Sequence, residues 1–419
     1  MSNFLLLAVL GGFGLALVAL SAWRPPLGGA VLVFTVPLFA GTNVGPSIGL
    51  LRPDQAIVLL IALGTFFHEA PRERLTFTGL DIAVAAFALG TILIPWAVLT
   101  LQRETIDSDR LRTLLAPAQY FVVYLTFSRP EQPSAYVRLT LNLAMLASLI
   151  VGVVAVAELA DVAAVRQLLG DFYSTPVIPS WDPVYRPASS LGHYSAVGAF
   201  ALLNYTLALA LAATRQPGFP GWWLSLVMAV NVVGVVASET WAPLLVLPLA
   251  TVAVCVYARA LPRHLLFVSA ALVMATAALW PFVQARAQQQ LAYTTTLGFG
   301  VPETLVTRIL YWRQFFVPAY LAHGFWLGTG TVIPSDVPER LSAFVDNEYL
   351  WTAFRAGIPG LLLLLSLLVA IAAAGASLRG SGQPLRRALG ATAFTSVLAL
   401  ATLGLTSEYL TFAGVSQHF

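Results

Sequence analysis

Runs of about twenty apolar residues recur along this chain, and they restrict its fold more than any other feature. They fall near 4–22, 27–41, 54–68, 79–101, 112–128, 136–158, 194–214, 222–238, 241–258, 264–281, 349–375 and 387–410. Hydrocarbon offers no partner for a backbone N–H or C=O, so a crossing segment either closes on itself as a helix or joins a barrel. Barrel strands read as short stretches of alternating polarity. These runs are continuous, "LLLLLSLLVAIAAAG" being one. Hydrophobic residues make up 58% and charged residues 10%, against about a quarter charged in soluble domains. The expected fold is therefore all-α, a polytopic membrane protein of about 12 transmembrane helices. The second and third runs are short and rich in Pro and Gly, which predicts tilt or breakage. The opening "MSNFLLLAVLGGFGLALVALSAW" lacks a basic n-region and is too long for a signal peptide, so it reads as a retained first helix.

Arginine in short loops sets the expected orientation. "PRERL", "SRPEQPSAYVR", "TRQPG", "ARALPRH" and "LRGSGQPLRR" occupy every second loop and belong in the cytoplasm. On the other side "SETW" carries none, and in "QRETIDSDRLR" acids offset the arginines. Within a single membrane domain, 1–419, this places two long loops, 159–193 and 282–348, outside the cytoplasm, the second partly helical. Both termini fall outside on the same count; if one of the first three runs does not cross, the N-terminus moves inside.

Every basic residue apart from histidine is arginine. Lacking lysine, the chain has no Walker-type phosphate loop, no Schiff base and no lysine general base. Phosphate binding stays open, because guanidinium is a planar fork matched to phosphate oxygens. The lone Cys255 sits in an apolar run and reads as packing, which leaves no intrachain disulfide and no cysteine metal site.

The long loops hold the polar residues from which a site can be built. The first ends "WDPVYRPASSLGHYSAVGAF". Arg186 lies in a Pro-punctuated turn, and Ser189, Ser190 and His193 lead into a helix that Ser190 is placed to cap, with an N-terminus that favours an anion. A bound phosphate and a solvated arginine above a capping serine both fit. His193 reads as an interfacial hydrogen-bonding residue or as a base. In the second loop, "ETLVTRILYWRQFF" puts Leu305, Ile309 and Trp312 on one helical face and Arg308 near Thr304 and Tyr311 on another. This predicts an amphipathic helix on the outer leaflet, with Arg308 or Arg313 either meeting lipid headgroups or turned inward onto a diphosphate. "GFWLGTGT" follows as a Gly-rich turn.

The run near 349 opens on Asp346, Asn347 and Glu348. If helical from there, it carries Asp346 and Gly357 on one face, and Gly357 and Gly360, a turn apart, admit a neighbouring helix. Arg355 then needs either a helix that projects from the membrane or a wet cavity. Asp81, Glu158, Glu239 and Glu408 stand at helix ends and read as interfacial, Glu239 on the same side as the long loops.

These pieces, in this order, resemble the O-antigen ligase and polysaccharide polymerase superfamily. Its ligase motif is His, then Asn, Ser or Gln, nine residues, Gly, two residues, and Gly or similar; here Asn347, Gly357 and Gly360 keep that spacing, with Asp346 in place of His. "RILYWRQFF" and "AHGFWLGTGT" look like the family's arginine-and-tryptophan helix and its Gly-rich turn, and "YRPASSLGHYSAVGAF" like its segment with an arginine before a helix. "ASETWAPLL" departs, having Trp241 where an arginine is usual. The motifs span roughly 180–365; elsewhere only helix number and hydropathy agree.

The resemblance implies a metal- and cofactor-independent inverting glycosyltransferase of the bacterial inner membrane, with its site facing the periplasm. The partners implied are an undecaprenyl-diphosphate-linked glycan, an acceptor glycan or glycolipid and membrane lipids, with a chain-length regulator as an optional one and no nucleic acid. Arg186 and Arg308 are the diphosphate ligands carried over, with Arg313 in reserve and His193 beside them. Asp346 and Asn347 occupy the catalytic position, Asp346 as base or as orienter of the acceptor; His323, or no base at all, is the alternative. Asp in place of His favours polymerase over ligase. A lipid-linked glycan flippase is the competing reading from another class, but the charges gather at one face rather than mid-membrane.

Overall fold

The computed structural model of the chain describes residues 3–42, 52–69, 77–131, 133–173, 186–291, 303–341 and 345–416. Among these the regular elements are helices, with one isolated bridge between Thr42 and Tyr173. The first half holds α1 (Asn3–Trp23), α2 (Pro25–Phe39), α3 (Pro53–Glu69), α4 (Gly79–Leu101), α5 (Ser108–Leu115), α6 (Ala118–Ser128), α7 (Ser134–Leu159), α8 (Ala163–Phe172) and α9 (Tyr194–Ala213). The second holds α10 (Gly221–Ala237), α11 (Trp241–Ala258), α12 (Leu261–Ala278), α13 (Trp280–Leu291), α14 (Glu303–Tyr311), the short α15 (Val317–Ala319), α16 (Glu348–Ser377), α17 (Pro384–Leu403) and α18 (Ala413–Ser416). Two π-helical turns, Trp312–Phe316 and Tyr320–Gly324, flank α15.

Each apolar run in the sequence becomes helix, so the all-α expectation holds. Among the described residues, five helices are individually long and apolar enough to cross a membrane: α4, α7, α9, α11 and α16. Ser269–Ala278 and Trp280–Gln289, bent by 82°, make a sixth if taken as one span. Gly11–Trp23, Pro25–Phe39 and Gly221–Ala237 are apolar but shorter. The run expected at 112–128 divides at Pro117, whose ring supplies no amide hydrogen to continue the ladder of α5. The loop expected at 159–193 contains α8 and a 3₁₀ turn, Ser189–Leu191, and that at 282–348 contains most of α13 together with α14 and α15. Their parts at 174–185, 292–302 and 342–344, like "PRERL", lie outside the described residues.

The core is built around α9, whose spanning window is 94% buried. Its sequence, "YSAVGAFALLNYTLALALAA", alternates small and bulky residues, so α7, α10, α11 and α17 pack against it closely. Between helices in lipid, such packing supplies the attraction that water supplies in soluble proteins. A Cβ placed on Gly234 of α10 would lie 3.3 Å from Ala201 Cβ and 3.8 Å from Gly152 Cα. Residues adjoining the N-termini of α9, α11 and α16 and the C-termini of α10 and α17 supply most of the charged groups described next.

Candidate functional site

The segment carrying Arg186 is fixed from below by an acid. Glu158, buried at the end of α7, accepts hydrogen bonds from Ala188 N at 3.3 Å and Ser189 N at 2.7 Å. Ser189 Oγ donates to Val151 O and Ser190 Oγ to Pro37 O, and Ser189 holds a left-handed φ of 49°, a conformation that persists only when its surroundings over-determine it. Ser190 therefore does not cap α9. Gly192, at φ 73°, reverses the chain, and His193 takes the N-cap with its Nδ1 accepting from Ser195 N at 3.2 Å. Burial, then the charge of Arg186, pulls His193 down to about 4. The imidazole is thus neutral near pH 7, as an accepting Nδ1 requires, and stacks on Phe412 at 4.6 Å.

The Arg186 guanidinium carbon lies 3.2 Å from the centroid of the Tyr194 ring, and its buried Nε has no hydrogen-bond partner among the described residues. Burial lowers its hold on the proton; Tyr194 and Glu239 oppose that effect and Arg308 adds to it. Glu239 sits in the turn between α10 and α11 at φ 49°. Burial lifts its carboxyl to about 7 against the opposing charges of Arg286 and Arg186. Arg286 comes from α13, where it hydrogen-bonds Gln289. With Trp241 and Glu239 it lines a cavity of about 60 Å³.

Arg308, in the last turn of α14, donates from Nε to Asp346 Oδ2 at 3.0 Å. Trp312 Nε1 donates to Val345 O at 2.7 Å and holds α14 against the same strip of chain. Three guanidinium groups from segments distant in sequence, at 186, 286 and 308, thus lie within electrostatic reach of one another, opposed by Glu239 and Asp346. Such an array suits a bound polyanion.

The Asp346–Gly360 motif differs from the helical reading. Asp346 precedes the helix, at φ 51°, so it does not share a helical face with Gly357. Asn347 is the N-cap of α16: its Oδ1 accepts from Leu350 N at 2.9 Å and its Nδ2 donates to Leu405 O at 3.3 Å. The helix then breaks at Ala356 and Gly357, the latter at φ 63° and ψ −159°. What approaches Gly357 is the Gly-rich turn, not another helix: a Cβ there would stand 2.2 Å from Trp326 O, and one on Gly328 would stand 2.6 Å from Phe354 O. Thr329 N donates to Phe354 O at 2.6 Å and Ile358 N to Phe325 O at 3.2 Å, so the turn satisfies backbone groups that the break releases. A Cβ on Gly360 would meet Ala356 Cβ at 2.4 Å, within its own bent helix.

Glu408, just beyond α17, closes the arrangement. Burial, then the charge of Asp346, raises its carboxyl to about 7, while the amides of Asp346 and Asn347 favour its ionised form. It also lines a cavity of about 310 Å³, whose wall includes Arg355; of the two settings the sequence allows for Arg355, the wet cavity fits.

Arg186, Arg308, His193 and Asp346 are therefore brought together, and Asn347, Gly357 and Gly360 shape the backbone beside them. Arg313 is exposed on the first π turn. His323 is also exposed and pairs with Asp336 at 2.7 Å; the interactions that tie the cluster do not include it. Sequence reasoning missed Arg286 and Tyr194, and it read Glu408 and Glu158 as interfacial only. Arg286 had a signal: a lone arginine where "WPFVQARAQQQ" leaves an apolar run. Tyr194 had none, since an aromatic at a helix start is commonplace. A scan against protein-family models finds no match to this chain, and a search of curated proteins finds none.

Proposed function

We propose that the chain is a multi-pass enzyme of the bacterial inner membrane that transfers a glycan from undecaprenyl diphosphate to a sugar hydroxyl on the periplasmic side, as a polysaccharide polymerase. The observation that carries this reading is the convergence of Arg186, Arg286 and Arg308 on one region. Joined to the family resemblance of the Asp346–Gly360 motif, it fits a leaving diphosphate better than a structural role, because among the described acids only Asp346 and Glu239 oppose the three cations, and Glu239, lifted to about 7, is only partly ionised. Arg286 also supplies a guanidinium beside Trp241, the position where the resembling family carries an arginine.

In this mechanism the acceptor oxygen attacks the anomeric carbon as the bond from that carbon to the diphosphate oxygen breaks. The electron pair leaves with the diphosphate, and the guanidinium groups stabilise the charge that develops there more than the ground state. The hydroxyl proton passes to a carboxylate. Asp346 is held by Arg308, which orients it, while Glu408, near 7, is matched to accept a proton at neutral pH. An arrangement of about twelve spans, with the loops at 159–193 and 282–348 outside the cytoplasm, would present this cluster to the periplasm.

The test replaces Arg186, Arg286 and Arg308 singly by Ala at matched membrane levels and reads surface polysaccharide on a gel. Each replacement is expected to cut polymer by about 10²–10³ in initial rate and to collapse the ladder to single repeats. An unchanged ladder in all three overturns the proposal. Polymer that is still made but no longer attached makes the enzyme a ligase.

A further inference from the structure

A cavity of about 310 Å³ adjoins the guanidinium cluster but is walled by other elements. Arg52 precedes α3, Arg112 lies on α5, Tyr120 on α6, Trp351 and Arg355 on α16, and Glu408 follows α17. The volume suits a small ligand, at the lower end of the roughly 300–1,000 Å³ usual for such sites. Among its lining residues three arginines face two carboxyls, Asp54 and Glu408, and the buried Glu348 also opposes the charge of Arg355.

Arg355 is the strongest indication of a ligand. It is only 8% exposed, its Nη2 donates to Thr113 O at 2.9 Å, and its buried Nε has no hydrogen-bond partner among the described residues. The Nε1 of Trp351, on the same wall, is also buried without an acceptor. Buried donors left unsatisfied are costly, charged ones most of all, and an oxyanion supplies what both lack. The rings of Trp351 and Tyr120 add flat apolar surface with polar edges, and Gln55, Gln119, Thr113 and Thr411 add hydrogen-bonding groups. Aromatic faces, scattered polar groups and excess guanidinium together match a sugar that carries an acid better than a bare anion.

We propose that this cavity binds an acidic sugar of the acceptor glycan, its carboxylate held by Arg355 and Arg112, its ring against Trp351 and Tyr120, and a hydroxyl presented to Glu408. The word acceptor rests on the transferase reading above; the acid-binding site does not. Because Glu408 borders both the cavity and Asp346, a sugar seated here lies next to the place where the diphosphate would depart.

The experiment uses the full-length protein in lipid nanodiscs and calorimetric titration with an oligosaccharide of glucuronic acid and with its carboxyl-reduced, neutral counterpart. The acidic glycan is expected to bind at least about tenfold tighter. R355Q is expected to abolish that preference and R308A to keep it. R112Q, on a more accessible wall, repeats the test should R355Q fail to fold. Equal affinity for the two glycans overturns the site and leaves the transferase reading standing. Acid-selective binding without transfer in any preparation supports the site and removes the transferase reading. A preference that vanishes when anionic phosphatidylglycerol replaces zwitterionic phosphatidylcholine identifies an anionic lipid headgroup as the natural occupant and overturns the glycan assignment.

Discussion

Replacing Gly357 by Ala tests how the Gly-rich turn and the break in α16 hold each other. The native conformation, φ 63° and ψ −159°, belongs to a region that only glycine enters freely, and a side chain there costs about 1–3 kcal/mol. The new Cβ would stand 2.2 Å from Trp326 O, so the turn must retreat. Retreat breaks the bonds from Thr329 N to Phe354 O and from Ile358 N to Phe325 O, each about 0.5–1.5 kcal/mol net. Together these give about 2–6 kcal/mol, at least about a thirtyfold fall in the folded-to-unfolded ratio. The assay is a thermal melt in detergent followed by tryptophan emission, since Trp326 and Trp351 flank the break. Gly380 is the control, because a Cβ there meets nothing within 4 Å. G357A is expected to melt well below wild type, whereas G380A melts at the wild-type temperature. A wild-type melt for G357A, or an equal loss in G380A, refutes the reasoning.

For Glu239 the folded carboxyl stands near 7 against 4.5 when free, so between those values the native state binds more protons and stability falls as pH rises; E239Q is expected to remove that slope, and a wild-type-minus-variant difference that grows in the opposite direction contradicts it. His193, held near 4 against 6.5, has the opposite sign: the native state binds fewer protons, and stability is lost as pH falls through that window. Its ring protons are expected to show no NMR titration near pH 6.5, and a midpoint there rejects the buried cap. N347A is expected to cost about 1 kcal/mol through the lost cap of α16 and N347S far less, measured as melting temperatures; equal losses mean that Asn347 acts other than as a cap.

Much of the helical content was legible because a spanning segment must be apolar along its whole length, and nothing local competes with that demand. The division at Pro117 was harder to see, since one proline inside an apolar run marks a kink or a break without saying which. At the site, Arg186 and Arg308 stood out as charges beside helix starts and on an amphipathic turn. Asn347 and Gly357 stood out by spacing, but the spacing read as helix when it encodes a cap followed by a break. Only the partner explains that break, and the partner lies some thirty residues upstream in the Gly-rich turn. Arg286 was marked only as a lone arginine leaving an apolar run, and its partners, like those of Glu408, come from tertiary placement that no local pattern records.

The guanidinium groups at 186, 286 and 308 and the carboxyls at 239, 346 and 408 follow one another along most of the chain. During synthesis, an incomplete polypeptide already inserted in the bilayer holds cations without the acids that oppose them. Assembly of the charged centre is therefore a late event, awaiting the emergence of residue 408 from the ribosome. Chains arrested before that point hold an incomplete charged centre.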